Sequence, residues 1–82
     1  MSPTRSAFVT GAAGGIGRAI AERLVADGFG VSVADLSSSA DQLEALVVGL
    51  GGPDVALGLS VDVTEAANVE AAVAAHVGHF GG

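Results

Sequence analysis

Apolar residues fall along this chain in two alternating rhythms. Ala7-Phe8-Val9-Thr10 is a short apolar run with a β-branched end, and glycine follows it, which reads as a buried strand. Over residues 15–27 the rhythm lengthens. Ile16, Ile20 and Leu24 recur at every fourth position, Ala19 and Ala26 fill in, and Arg18, Glu22 and Arg23 supply polar positions. That spacing predicts an amphipathic helix stopped by Gly28. Gly30-Val31-Ser32-Val33-Ala34 reads as a second strand, ended by Asp35. Ser37, Ser38 and Ser39 are then candidate N-caps, and Ser39 with Gln42 has capping-box spacing. Leu43, Leu46, Val47 and Leu50 form one helical stripe, closed by Gly51-Gly52-Pro53. A third strand is expected within residues 55–63, best placed at 56–61, where Gly58 marks a bulge or a close backbone approach. Thr64 is expected to cap a third helix, whose stripe is Val69, Val73, Val77 and Phe80.

The order is therefore β-α-β-α-β-α, an α/β chain. Strands separated by helices need crossover connections and hence a parallel sheet. Right-handed crossovers place the first two helices on one face. No internal repeat, linker or low-complexity run interrupts residues 1–82, so the chain reads as a single domain.

Composition narrows the function more than the fold. Three cations (Arg5, Arg18, Arg23) stand against nine acids for a net charge of −6, which argues against a nucleic-acid partner. Cysteine is absent, which removes disulfide frameworks, thiol nucleophiles and Cys-based zinc sites. The apolar runs are far shorter than the ~20 residues of a membrane span. The start, Met1 to Ser6, carries one cation, and the apolar stretch after it breaks at Gly11, so no leader is expected and the location predicted is cytoplasmic. Tyrosine and lysine are both absent, so no mechanism using either as acid, base or Schiff-base nucleophile can be run by this chain alone. No catalytic residue is assigned.

The sharpest local feature is Thr10-Gly11-Ala12-Ala13-Gly14-Gly15-Ile16-Gly17, between the first strand and the first helix. A strand that enters a helix through glycines aims the helix's free N–H groups and positive end at the turn, where they can hold a phosphate or pyrophosphate. Glycine permits the tight turn and the close approach of a ligand to backbone. The alternative is a strand–helix turn with no ligand. Asp35 closes the second strand at close to the ~20-residue distance expected of a carboxylate that binds ribose hydroxyls. Its alternative is a solvated acid capping the next helix. A carboxylate there repels a 2′-phosphate, and no Lys or Arg follows nearby, so NAD is favoured over NADP.

The spacing of Thr10, Gly11, Gly15 and Gly17 resembles the short-chain dehydrogenase/reductase family, as do the continuation Ile16-Gly17-Arg18-Ala19-Ile20-Ala21 and the later Asp62-Val63-Thr64. Residues 15–36 look most like its acetoin/diacetyl reductase and 3-oxoacyl reductase branches. The resemblance implies the N-terminal half of a Rossmann doubly wound sheet with strand order 3-2-1. It implies cofactor binding through Thr10, Gly11, Ala13, Gly14, Gly15, Ile16 and Gly17 at the pyrophosphate. Asp35 and Leu36 would meet the adenosine ribose, and Asp62 and Val63 the adenine. Asp62 also reads as an acid at a helix N-terminus, and the two readings are compatible. Family members continue into a fourth strand, a catalytic serine and a Tyr-x-x-x-Lys motif that this chain does not contain. It therefore reads as an incomplete domain, inactive alone. The alternative is a non-catalytic half-Rossmann module that binds nucleotides or self-associates.

Two partners follow from that incompleteness: a second copy, pairing along the bare first strand, or a separate C-terminal half that complements the fold. His76 and His79 stand three positions apart near the end of the third helix. With no Cys or carboxylate beside them, they read as polar residues at a helix C-terminus, and no metal site is assigned.

Overall fold

The computed structural model describes residues 5–82. The reading that no leader precedes the domain rests largely on residues 1–4, which lie outside those described. The chain runs β1 (Arg5–Thr10), α1 (Gly15–Ala26), β2 (Phe29–Asp35), a single 3₁₀ turn (Ser37–Ser39), α2 (Ala40–Leu50), β3 (Ala56–Ser60) and α3 (Ala66–Phe80). The three strands form one parallel sheet in the order β1-β2-β3, so the expected 3-2-1 half-sheet is present. Both β1 and β2 start earlier than the apolar runs suggest, because Arg5 pairs with Phe29 and extends the ladder beyond the side chains that look like strand. No helix among the described residues is long and apolar enough to cross a membrane.

Alternation along the strands divides the structure into two unequal layers. On one side Val9, Val31 and Val33 meet Ala12, Ala21, Leu43 and Leu46, with Leu24, Val25, Phe29, Val47 and Leu50 packed around them. On the other side only Ala34, Val61 and Ala72 are buried together, flanked by Phe8 and Leu59. The α2 stripe falls where its spacing places it, except that the neighbouring Val48 is exposed.

The other two helices turn differently from expectation. On α1 the buried residues are Gly17 and Ala21, while Ile16 is 83% and Ile20 48% exposed. The first half of the helix approaches the sheet through its smallest side chains, which leaves Ile16 and Ile20 outside, while Leu24 of the expected stripe packs at the edge of the core. On α3 the residues facing inward are Ala72 and His76, and Val69, Val73 and Val77 lie outside. The valine stripe thus faces away from the sheet, and a histidine takes the position expected of an apolar residue.

Two caps are also corrected. Ser39 holds the N-cap position of α2 as expected but makes no side-chain cap bond, so the Ser39–Gln42 capping box does not form. Its N–H donates to the Leu36 carbonyl, and the 3₁₀ turn keeps it out of the extended conformation of an N-cap. The N-cap of α3 is Glu65 rather than Thr64, whose hydroxyl is committed to Asp62. Gly58 produces no bulge, since the β2–β3 register runs unbroken from Val31–Ala56 to Asp35–Ser60. It marks a close approach instead: a Cβ there would lie 3.3 Å from Val47 Cγ2 on α2.

The tightest approach is at Gly17. A Cβ there would stand 2.4 Å from the Gly11 carbonyl oxygen and 2.9 Å from Ala12 Cα, both backbone atoms. Gly17→Ala is expected to destabilise the fold by about 3 kcal/mol, the upper end of overpacking costs. Gly15→Ala, with open space at its Cβ, is expected to stay within about 1 kcal/mol of the parent. Urea denaturation followed by circular dichroism checks the pair, and equal effects would refute the contact.

Candidate functional site

All three strands end on the same edge of the sheet, and the segments leaving them converge there. β1 leads into the turn at Gly11, whose φ of +65° suits glycine. Gly14 N–H donates back to Gly11 O (3.2 Å), and Arg18 N–H to Gly14 O (3.0 Å) begins the helical ladder of α1. No side chain caps α1, and no acid occupies its first turn. The N–H groups at Gly15, Ile16 and Gly17 precede the first ladder bond and have no intrahelical acceptor. This end of the helix is therefore electropositive and open to an anion.

The turn is tied to β2 by two hydrogen bonds. Ala12 N–H donates to Ala34 O at 3.0 Å, and Ala13 N–H donates to Asp35 Oδ2 at 3.0 Å. The other carboxylate oxygen, Oδ1, accepts from Leu36 N–H at 2.8 Å. Asp35 is thus held by backbone on both oxygens, and each oxygen keeps a lone pair for a further donor. Its carbonyl accepts from Val61 N–H (2.8 Å), which fixes the segment beyond β3 against the end of β2.

That segment carries Asp62. Its Oδ1 accepts from Thr64 Oγ1 at 2.6 Å and from Thr64 N–H at 3.0 Å. Together these bonds, the hydroxyl's first, hold the Asp62 carboxyl below the usual carboxylate range. Between the two aspartates lies a cleft of ≈430 Å³, walled by Thr10, Gly11, Leu36, Val63 and Thr64 over the small residues Ala34 and Val61.

Thr10, Gly11, Asp35, Leu36, Asp62 and Val63 therefore line one cleft. Ala13 is bonded to its wall, and Gly14, Gly15 and Gly17 form the helix start beside it. The Ile16 side chain does not join them. It lies with Ala19, Ile20 and Leu24 along an apolar hollow on the outer surface of α1. Arg18 lines a separate hollow of ≈180 Å³ with Ala12, Ala13 and Gln42. Sequence reasoning missed the Ala34–Val61 floor and the bracing of Asp62 by Thr64. The Asp-x-Thr spacing is the signal that could have shown the second. Among the described residues no group of His, Asp and Glu is arranged to hold a metal, and His76 and His79 engage separate partners.

Comparison with known proteins gives a consistent picture. The family model described as short chain dehydrogenase matches residues 5–82. An uncharacterized oxidoreductase of Mycobacterium bovis is 42% identical over 78 residues, which cover 95% of this chain and 31% of that protein. L-2,3-butanediol dehydrogenase of Corynebacterium glutamicum is 41% identical over 71 residues, covering 85% of this chain and 28% of that one. In three dimensions the chain is similar to a 3-ketoacyl-(acyl-carrier-protein) reductase from Brucella melitensis complexed with NADH. There the TM-score is 0.86 and the identity 32%, over 96% of this chain and 31% of the other. The chain thus spans about a third of the length of the curated relatives it matches.

The Asp62 geometry makes a pH prediction. Because the folded-state value is lowered, the charged form is kept as pH falls through the usual carboxylate range. The bracing is lost only lower, as pH passes through the folded value. Thr64→Val removes the hydroxyl donor and is expected to move the Asp62 midpoint up toward the ordinary range. A carboxyl carbon NMR titration measures it, and an unmoved midpoint would show that the hydroxyl does not hold the charge.

Proposed function

The chain belongs to the short chain dehydrogenase family, and on that premise we propose that it is the dinucleotide-binding portion of an oxidoreductase acting on an alcohol/carbonyl pair. The observation that carries this reading is the convergence at one sheet edge of an uncapped helix N-terminus, a backbone-held carboxylate and a small-residue cleft. The N–H groups of Gly15, Ile16 and Gly17 bind the pyrophosphate, with Thr10, Gly11, Ala13 and Gly14 shaping the approach. Asp35 takes the adenosine ribose hydroxyls on its remaining lone pairs, beside Leu36. Asp62 accepts from the adenine amino group, with Val63 against the ring. A bound nicotinamide dinucleotide supplies the hydride acceptor or donor. The chain itself orients the adenosine end and leaves the reacting end to residues outside this stretch.

NAD is preferred over NADP because a 2′-phosphate would meet the Asp35 carboxylate. With no tyrosine and no lysine, the chain alone is expected to transfer no hydride. A cytoplasmic location belongs to the same reading, in keeping with a chain free of cysteine.

Isothermal titration of the chain tests the reading. Saturable NAD binding is expected, weaker NADP binding, and a loss of about tenfold or more in Asp35→Ala, the scale of a hydrogen bond to a charged group. Equal affinity for the two dinucleotides would overturn the preference and point to Arg18, beside Ala13, as the phosphate's partner.

A specific observation also supports the reading as an association module. Among the described residues β1 pairs only with β2, so one edge of β1 is free. Ile16, Ile20, Val69, Val73 and Val77 add exposed apolar surface. Pairing with a second copy, or complementation by a C-terminal half, would cover them. Sedimentation at concentrations on the order of tens of micromolar is expected to show association, and a monodisperse monomer would refute self-pairing.

A further inference from the structure

The thinner layer buries one titratable side chain that the cleft does not use. His76 on α3 is 8% exposed. Its Nδ1 lies 2.5 Å from Ser32 Oγ on β2, and its Nε2 lies 2.9 Å from Ser6 Oγ on β1. Ser6 Oγ in turn donates to the Gly82 carbonyl, just beyond α3. The rings of Phe8 and Phe80 flank the imidazole, with centroids 5.7 and 5.2 Å away.

Donor and acceptor rules give this chain of bonds a direction. Ser32 is fully buried with Nδ1 as its partner, so its hydroxyl hydrogen goes to Nδ1, and Nε2–H is left to donate to Ser6 Oγ. In the neutral ring Nδ1 is then the acceptor, and Ser32 donates to it. The opposite tautomer would strand the hydrogen of Ser32, a fully buried residue.

The clasp matters because it is the buried polar tie between α3 and the sheet; the other hydrogen bond of α3, His79 Nε2 to the Pro53 carbonyl at 2.7 Å, lies at the exposed end of the helix. Its valines face outward, its fully buried apolar residue is Ala72, one turn before His76, packed with Ala34 and Val61, and Phe80 is half-buried against the imidazole. Ala34 and Val61 form the floor of the cleft, and Asp62 to Thr64 lie between that floor and the start of α3. We propose that His76 is a positioning residue: the Ser32–His76–Ser6 clasp seats α3 on the sheet and, through Ala72, sets the Asp62–Thr64 wall of the cleft. For its effect on ligand affinity the proposal rests on the dinucleotide reading; for the wall itself it does not.

The test is NMR on the ¹⁵N-labelled 82-residue chain, with adenosine monophosphate as the probe ligand. The ring spectrum of His76 is expected to show the Nε2–H tautomer. His76→Leu and Ser32→Ala are each expected to shift the Thr64 amide resonance, to speed amide exchange along α3 about tenfold, and to weaken adenosine monophosphate binding about tenfold, equivalent to ~1.4 kcal/mol. The double variant is expected to lose no more than His76→Leu alone, because the clasp is already open in either single variant. Should His76→Leu unfold the chain, Ser6→Ala is read the same way with a smaller effect, since it removes only the outer hydroxyl.

Faster exchange in α3 with an unmoved Thr64 resonance would overturn the proposal, leaving a clasp that only holds the helix. The Nδ1–H tautomer, or losses that simply add in the double variant, would overturn it as well. If the parent chain binds no adenosine monophosphate but Thr64 responds to His76→Leu, the positioning stands and the dinucleotide reading falls.

Discussion

The seat of α1 on the turn behind it is the contact on which the carboxyl edge of the sheet depends. Gly17 brings helix backbone to a distance from Gly11 and Ala12 that no side chain would allow. With the helix so placed, Ala12 reaches the Ala34 carbonyl and Ala13 reaches the Asp35 carboxylate. Asp35 then fixes Val61 through its carbonyl, and the Asp62–Thr64 turn follows. One missing Cβ thus sits at the head of a series of short backbone links that ends at the far wall of the cleft.

The two faces of the sheet are held by different physics. One is a dry layer in which β-branched strand residues meet leucines from α2, and its stability scales with apolar area removed from water. The other has three small buried apolar residues and a directed run of hydrogen bonds. Such a run tolerates little: remove one member and a buried polar atom loses its partner. The cleft is built at the seam, with Asp35 ending the strand common to both layers and Asp62 attached to the polar one.

Most of the architecture was legible because strand and helix leave different periods in the sequence, and because Gly11 to Gly17 sits where a strand becomes a helix. Asp35 was legible for the same reason, as an acid ending a strand, whereas Asp62 came from the family resemblance of Asp62-Val63-Thr64. The direction a helix turns was less so. A stripe such as Ile16-Ile20 or Val69-Val73-Val77 shows that a helix has an apolar face, but close approach selects small residues, which turned Gly17 and Ala21 inward on α1, while on α3 Ala72 is joined by a hydrogen-bonded His76. The cap at Thr64 was misread because its hydroxyl has a nearer partner in Asp62, whereas Ser39 holds the cap position of α2 without the side-chain bond its spacing to Gln42 suggests. The role of His76 was not legible at all. Its partners lie 44 and 70 positions away, and neither serine stands out in its strand.

The register has a kinetic corollary. Arg5 pairs with Phe29, and Val31 pairs with Ala56, so the two crossovers close loops of nearly equal length. Loop-closure entropy depends on that length and so favours neither strand pair. The order of docking is left to what each pairing buries, and β2, whose Val31 and Val33 are wholly enclosed, belongs to both. Any folding nucleus of this chain must therefore contain β2, and substitutions along it should slow folding more than equally destabilising ones on either outer strand.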